Sequence, residues 1–282
     1  MTTPAATTVP GLLGAADAGR TLVMGIINVT PDSFSDGGVY ADPREACGAG
    51  MAMLADGADL IDVGGESTRP GALPVPLDEE LTRVVPVIEA LAELVEVPIS
   101  VDTSQPAVMA AAVAAGASIV NDVRALREPG ALDLVAGLEV GVCVMHMQGE
   151  PVTMQLDPRY TDVVDEVGAF LAERIEACVA AGFARDRITV DPGFGFGKTL
   201  THNLALLRGL PELAALGAPI LVGLSRKGMI GELTGRSLGE RTPGSVVAAV
   251  LAVQRGASIV RVHDVAATRD ALAILAAIDE PE

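Results

Sequence analysis

Eight short apolar, β-branched runs recur along this chain of 282 residues, and a polar side chain stands at the end of each. The runs are Leu22–Val29, Leu60–Val63, Ile99–Val101, Ile119–Asn121, Val140–Met145, Ile188–Val190, Ile220–Val222 and Ile259–Val262. Short, continuous apolar runs suit strands buried on both faces, as in a parallel sheet. Helix-like stretches lie between them, among them Asp78–Val95, Pro106–Ala115, Asp162–Ala181 and Ser245–Arg255. Eight strand–helix units of about 35 residues each match a (β/α)8 barrel in number and length. The predicted class is therefore α/β, a single-domain (β/α)8 TIM barrel over residues 21–282. Residues 1–20 are expected to form a flexible tail. A doubly wound open sheet is the alternative.

A weak internal repeat supports the barrel. Gly57-Ala58-Asp59-Leu60-Ile61-Asp62, Gly116-Ala117-Ser118-Ile119-Val120-Asn121 and Gly256-Ala257-Ser258-Ile259-Val260-Arg261 share one form. A glycine ends a helix, a few apolar residues make a strand, and a polar residue marks the strand's carboxyl end. Barrel active sites are built at that end, because the loops that follow the strands converge there. The polar residues so placed are Asn28, Asp62, Asp102, Asn121, His146, Asp191, Ser225-Arg226-Lys227, and Arg261 with His263. No domain boundary is visible. The Gly/Pro-rich stretches Pro31–Pro43 and Gly64–Pro76 are long for loops that follow barrel strands, and they read as lids rather than linkers.

Composition narrows the chemistry. The chain is 50% hydrophobic but only 2% aromatic, so Ala, Val, Leu and Ile fill its core and no base-stacking platform is expected. A net charge of −18 opposes phosphate backbones and anionic membranes, which argues against nucleic-acid or membrane partners. Cys47, Cys143 and Cys178 are far apart and form no CxxC, so they read as reduced thiols of a cytoplasmic protein. No apolar stretch reaches the roughly 18 residues of a membrane helix. The longest, Ala107–Val120, reads as a helix running into a strand.

Converging Asp62, Asp102 and Asp191 need cationic or hydrogen-bond-donor partners. An amino-pyrimidinone edge suits them, because a carboxylate accepts two parallel N–H bonds. Asn121 adds a donor and an acceptor. An ion pair with a nearby Arg or Lys is the alternative for any one of these carboxylates. Arg69, Arg226, Lys227, Arg261 and His263 make an opposite set at the same end, which suits a phosphate or diphosphate; a rim of salt bridges is the structural alternative. Ser225-Arg226-Lys227-Gly228 opens a short candidate helix, Gly228–Thr234, beside that set. Met145, Met147 and Phe196 could line an apolar slot, with core packing the other reading of Met145. Two motifs fail. Gly193-Phe194-Gly195-Phe196-Gly197-Lys198-Thr199 has Pro192 where a P-loop needs its first glycine, and no GxGxxG follows the first strand. No HExxH is present, so zinc hydrolysis is not expected. Mg²⁺ held mainly through substrate phosphates is compatible, with Asn28 as an oxygen ligand.

These segments together resemble the dihydropteroate synthase family of folate biosynthesis. The matching blocks are Gly25–Gly37, Asp62–Gly71, Ser100–Thr103, Ile119–Asp122, Met145–Met147, Asp191–Lys198, Gly223–Lys227 and Arg261–Val265. They cover about residues 21–275 in order, one block per strand end. The resemblance implies a barrel enzyme that joins 6-hydroxymethyl-7,8-dihydropterin diphosphate to p-aminobenzoate and releases diphosphate. It implies that Asp62, Asp102, Asn121, Met145, Asp191, Gly223 and Lys227 bind the pterin. Diphosphate falls to Asn28, Thr68, Arg69, Arg261 and His263, and Mg²⁺ to Asn28. The p-aminobenzoate site takes Phe34, Thr68, Arg69, Pro70, Phe196 and Gly228, and sulfonamides compete there. Asp102, Lys227, Arg261 and His263 carry the catalysis, by an S_N1-like substitution. A homodimer is implied. Gly228 departs from the Ser expected at its position in several members, so backbone N–H groups or Arg226 would meet the aminobenzoate carboxylate. Three rival readings stand beside this one: a folate-dependent methyltransferase barrel, a Schiff-base aldolase using Lys227, and a non-catalytic pterin-binding paralogue.

Overall fold

The computed structural model describes residues 20–30, 43–69 and 71–279. Phe34, Pro70 and all of the expected N-terminal tail except Arg20 lie outside these. Eight parallel strands follow one another: β1 (Leu22–Asn28), β2 (Leu60–Gly64), β3 (Ile99–Asp102), β4 (Ile119–Asp122), β5 (Gly141–Met145), β6 (Ile188–Asp191), β7 (Leu221–Val222) and β8 (Ile259–Val262). Every one falls on an apolar run seen in the sequence. Their order, β6-β5-β4-β3-β2-β1-β8-β7, brings the last two strands next to the first. The ring closes through a single parallel bridge, Val190 to Ile220, with the Val190 amide donating to the Pro219 carbonyl at 3.0 Å. The fold is a (β/α)8 barrel.

Helices alternate with the strands: α1 (Pro43–Ala55), α2 (Leu77–Ala92), α3 (Pro106–Ala114), α4 (Ala131–Ala136), α5 (Val163–Ala180), α6 (Leu200–Arg208), α7 (Leu210–Ala214), α8 (Gly228–Thr234), α9 (Thr242–Val253) and α10 (Val265–Asp279). Local chemistry sets their ends. Asp162 caps α5 by accepting from the amides of Val164 and Asp165, and Pro106 begins α3 where no amide is needed. The glycines that open the sequence repeat, Gly57, Gly116 and Gly256, have φ of 97°, 119° and 99°, a region open to residues without a Cβ.

Two-residue periodicity along the strands then builds two cores. Ile61, Val120 and Val260 face the helices in one large apolar layer. Leu60, Ile119 and Ile259 face inward and, with Leu22, Met24, Cys143 and Leu221, plug the barrel floor. Two positions further on, the same inward face carries Asp62, Asn121 and Arg261. The repeat is thus one device used three times: an apolar residue inside at the bottom, a polar residue inside at the top. All three cysteines are free and buried. Beneath the plug, Asp59 is gripped by the guanidinium groups of Arg20 and Arg269 and by the Val23 amide. Arg20, counted with the tail in the sequence reading, is therefore tied to the barrel.

Candidate active site

The loops after the strands enclose a cavity of about 650 Å³ at the carboxyl end of the barrel. Its wall includes Asn28 from β1, Thr68 and Arg69 from the loop after β2, and Asp102 from β3. The far side is made by Phe196, Gly223, Lys227, Gly228, Arg261 and His263. Asp62, Asn121, Met145 and Asp191 are buried beside or beneath it and do not form its wall. Phe34 and Pro70 fall outside the described residues.

Arg261 is the electrostatic centre. Strand register puts Asp102 opposite Asn121, and the barrel's closure brings β8 beside β1, so residues 159 and 199 positions apart meet. The Arg261 guanidinium donates to Asp62 Oδ2 at 2.6 Å and to Asp102 Oδ2 at 2.8 Å. Asn121 Nδ2 donates to the same Asp62 oxygen at 3.3 Å. For Asp62 the ion-pair alternative raised from the sequence is therefore realised, although its Oδ1 is buried with no partner among the described residues. Burial pushes the Asp102 carboxyl up to about 7, against the pull of Arg261 and with the help of Asp62. Burial also disfavours charge on Arg261, but Asp62 and Asp102 outweigh it and hold the guanidinium above its ordinary range.

Lys227 lies across the cavity, its Nζ 4.1 Å from the centre of the Phe196 ring, a cation–π distance. Burial lowers its ammonium to about 8, with Asp191 opposing and Arg261 adding. Asp191 Oδ1 accepts from the Gly193 amide at 2.7 Å, and burial raises its carboxyl. Met145 and Met147 join Phe196, Val123 and Met154 in a buried apolar cluster next to the cavity.

One alternative is realised and one expectation needs correcting. Of the cations read from the sequence as a phosphate set, with a rim of salt bridges as the alternative, the alternative holds for Arg226. Its backbone lies in the left-handed region at φ 57°, its amide donates to Ser245 Oγ, and its guanidinium grips both oxygens of Asp264 at 3.1 and 2.7 Å. Arg241 closes the arrangement on the Arg226 carbonyl at 3.1 Å. Arg226 therefore shapes the turn that delivers its neighbours Ser225 and Lys227. His263 was counted among the cations. Burial, with Arg226 and Arg261 near, lowers its imidazole to about 3, so it stands neutral, with Nδ1 3.0 Å from Ser225 Oγ.

Sequence reasoning gave no role to Glu66, Arg241 or Lys198, all of which line the cavity. The signal for Lys198 was the glycine-spaced run that failed as a P-loop. Among the described residues, no group of three or more His, Cys, Asp or Glu could hold a metal ion. Asn28 offers a side-chain oxygen on the wall, which fits a hard cation that brings most of its ligands on a diphosphate. No helix among the described residues is long and apolar enough to cross a membrane.

Comparison with known proteins identifies the family. Residues 24–263 match the family model described as pterin binding enzyme. Dihydropteroate synthase of Escherichia coli K12 is 52% identical over 255 residues, 90% of each chain. Among solved structures, Xanthomonas albilineans dihydropteroate synthase with 4-aminobenzoic acid superposes with a TM-score of 0.88 at 56% identity, covering 93% of this chain and 94% of that one. The same enzyme with 7,8-dihydropteroate gives 0.85 at 53%, over 93% and 95%. The Yersinia pestis enzyme in a sulfonamide drug complex gives 0.89 at 52%, over 92% and 94%.

Proposed function

From the premise that this chain belongs to the dihydropteroate synthases of the pterin binding enzyme family, we propose how its cavity performs their reaction. The enzyme joins 6-hydroxymethyl-7,8-dihydropterin diphosphate to p-aminobenzoate, giving 7,8-dihydropteroate and diphosphate. The observation that carries this reading is the Asp62–Arg261–Asp102 bridge on the cavity floor with Lys227 facing it. It joins carboxylate acceptors for a pterin edge to cations for its leaving group in one place. Relatives that hold 4-aminobenzoic acid, dihydropteroate and a sulfonamide in the same fold support it, and sulfonamides are expected to compete here too.

Asp191 accepts the ring N–H and exocyclic amine of the pterin and Asp102 accepts a further ring N–H, while Asn121 and Lys227 bond its remaining edge, and Asp62, Met145 and Gly223 shape the pocket. Thr68, Arg69, Arg261 and neutral His263 donate to the diphosphate. Mg²⁺, with Asn28 as one ligand, supplies further charge compensation when bound. As the C–O bond to diphosphate breaks, negative charge moves toward Arg261 and the remaining methylene becomes cationic, stabilised by the Asp102 carboxylate. The amine of p-aminobenzoate then attacks that carbon, and the resulting ammonium gives its proton to the released diphosphate or to solvent. Phe196 flanks the aminobenzoate, and Gly228 leaves its carboxylate to backbone amides. No covalent enzyme intermediate is needed, and a pterin–protein adduct trapped during turnover would overturn this route.

Leu233 on α8, Val247 on α9 and Ile274 and Ile278 on α10 are exposed apolar side chains on helices that contact one another, which supports a homodimer. We place the enzyme in the cytoplasm, where three free thiols stay reduced. The test is diphosphate release by purified protein with Mg²⁺, pterin diphosphate and p-aminobenzoate, each omitted in turn. Release that needs both organic substrates and yields dihydropteroate supports the reading. Tight pterin diphosphate binding without release would instead favour a non-catalytic paralogue.

A further inference from the structure

Lys198 stands in the loop after β6, is 3% exposed, and points its amine back into that loop. Its Nζ lies 2.9 Å from the Gly193 carbonyl, 3.1 Å from the Phe196 carbonyl and 2.9 Å from His146 Nδ1. Burial lowers this amine to about 7, with Asp191 opposing; as an ammonium it has three protons, and three acceptors meet it here. None is left for a phosphate, which is why this run only looks like a phosphate-binding loop. The loop also lies flat on the chain leaving β5. A Cβ at Gly193 would stand 1.9 Å from the His146 carbonyl oxygen, and one at Gly197 2.3 Å from that of Gln148. Both glycines have positive φ, 70° and 61°.

The same loop carries two functional features. The Gly193 amide holds Asp191, and the Phe196 ring lies under Lys227. Lys198 grips the carbonyls of those very residues, Gly193 and Phe196. We propose that Lys198 is a positioning residue whose ammonium ties these two carbonyls to His146, and so sets the separation between the pterin carboxylate Asp191 and the Phe196–Lys227 stack. The inference rests on the synthase reading of the cavity. It requires His146 to be neutral with its proton on Nε2. Burial, with Lys198 beside it, lowers that imidazole to about 3. The loop has other anchors, Tyr160 Oη on the Gly197 carbonyl at 3.0 Å and the Gly195 amide on Asn203 Oδ1 at 2.8 Å. Loss of Lys198 therefore releases two carbonyls without unpinning the whole segment.

The experiment compares wild type, Lys198→Met and Lys198→Arg in thermal unfolding, pterin titration and steady-state kinetics, with ¹⁵N NMR of His146. Lys198→Met is expected to fold, with KM for p-aminobenzoate raised about 10–100-fold and kcat changed less. Lys198→Arg fails to rescue, because a planar fork cannot reproduce three converging bonds. In the wild type, His146 shows the Nε2–H tautomer, and in Lys198→Met its pKa rises but stays below the ordinary value, because burial still holds it down. Unchanged KM and pterin affinity in folded Lys198→Met would overturn the proposal. So would an Nδ1–H tautomer in the wild type, a measurement that stands even if the variant does not fold. A wild-type protein that makes no dihydropteroate would instead remove the synthase reading, while the tautomer still reports on the Lys198 contact.

Discussion

Asp59, just before β2, and Asp62, within it, are three residues apart, and the chain treats them in opposite ways. Asp59 at the closed end has both oxygens engaged, by Arg20, by Arg269 and by the Val23 amide. Asp62 at the open end shares Arg261 with a second carboxylate and keeps one oxygen without a partner among the described residues. Both sites combine acidic and guanidinium side chains, so residue type does not separate them. What separates them is completeness. The bottom cluster satisfies its own demand and reads as stability, while the top one leaves too many carboxylates for its cation, a mismatch that a donor-rich ligand would correct.

The largest test of that contrast pairs Arg261→Ala with Asp59→Ala. Arg261→Ala is expected to lower kcat/KM by about 10³-fold, with binding of the diphosphate-bearing substrate falling further than that of free pterin. Asp59→Ala should leave kcat/KM unchanged and cost roughly 1–3 kcal/mol of stability, seen as a Tm several degrees lower. Equal kinetic losses in the two variants would erase the distinction between the ends.

A pH profile sharpens it next. Asp102 accepts pterin N–H groups only when ionised, so affinity should fall as pH drops through about 7. Lys227 donates fully only as an ammonium, so affinity should also fall as pH rises through about 8. Each limb changes by at most about tenfold per pH unit. Lys227→Arg should flatten the alkaline limb alone. A wild-type affinity constant from pH 6 to 9 would mean that neither group titrates against the ligand.

The smallest effect is expected at Gly228, where an added Cβ meets nothing within 4 Å. Gly228→Ser should leave Tm almost unchanged and lower KM for p-aminobenzoate about 2–10-fold, through a new hydroxyl donor. An unchanged KM would place the aminobenzoate carboxylate elsewhere.

Strands and barrel were legible because burial on both faces demands continuous apolar runs, and because period two turns Leu60-Ile61-Asp62 into an inside–outside–inside statement that sequence alone carries. The location of the site followed from the same rule. Who meets whom across it did not. Arg261 reaches Asp62 from 199 residues away, a pairing set by ring closure rather than by any local pattern. Arg226 looked like a ligand for anions because its charge is visible and its left-handed backbone is not. His263 looked cationic because its burial among guanidinium groups exists only in the fold. Lys198 was visible as a motif and was set aside because the motif it resembled was the wrong one.

The single bridge that closes the barrel also has a kinetic meaning. Every other neighbouring pair of strands shares a ladder, whereas β6 is joined to the β7 side only by the bridge from Val190 to Ile220, the residue before β7. Asp191 and the turn bearing Lys227 sit just above that seam, one on each side. Opening of the ring therefore starts at the place where the two meet, and the Val190 amide should exchange its hydrogen sooner than the strand amides of β2 or β5. A pterin bound by Asp191 and Lys227 together spans the gap as a rivet. Its arrival should register as slowed exchange at Val190, far more than at the floor of the barrel.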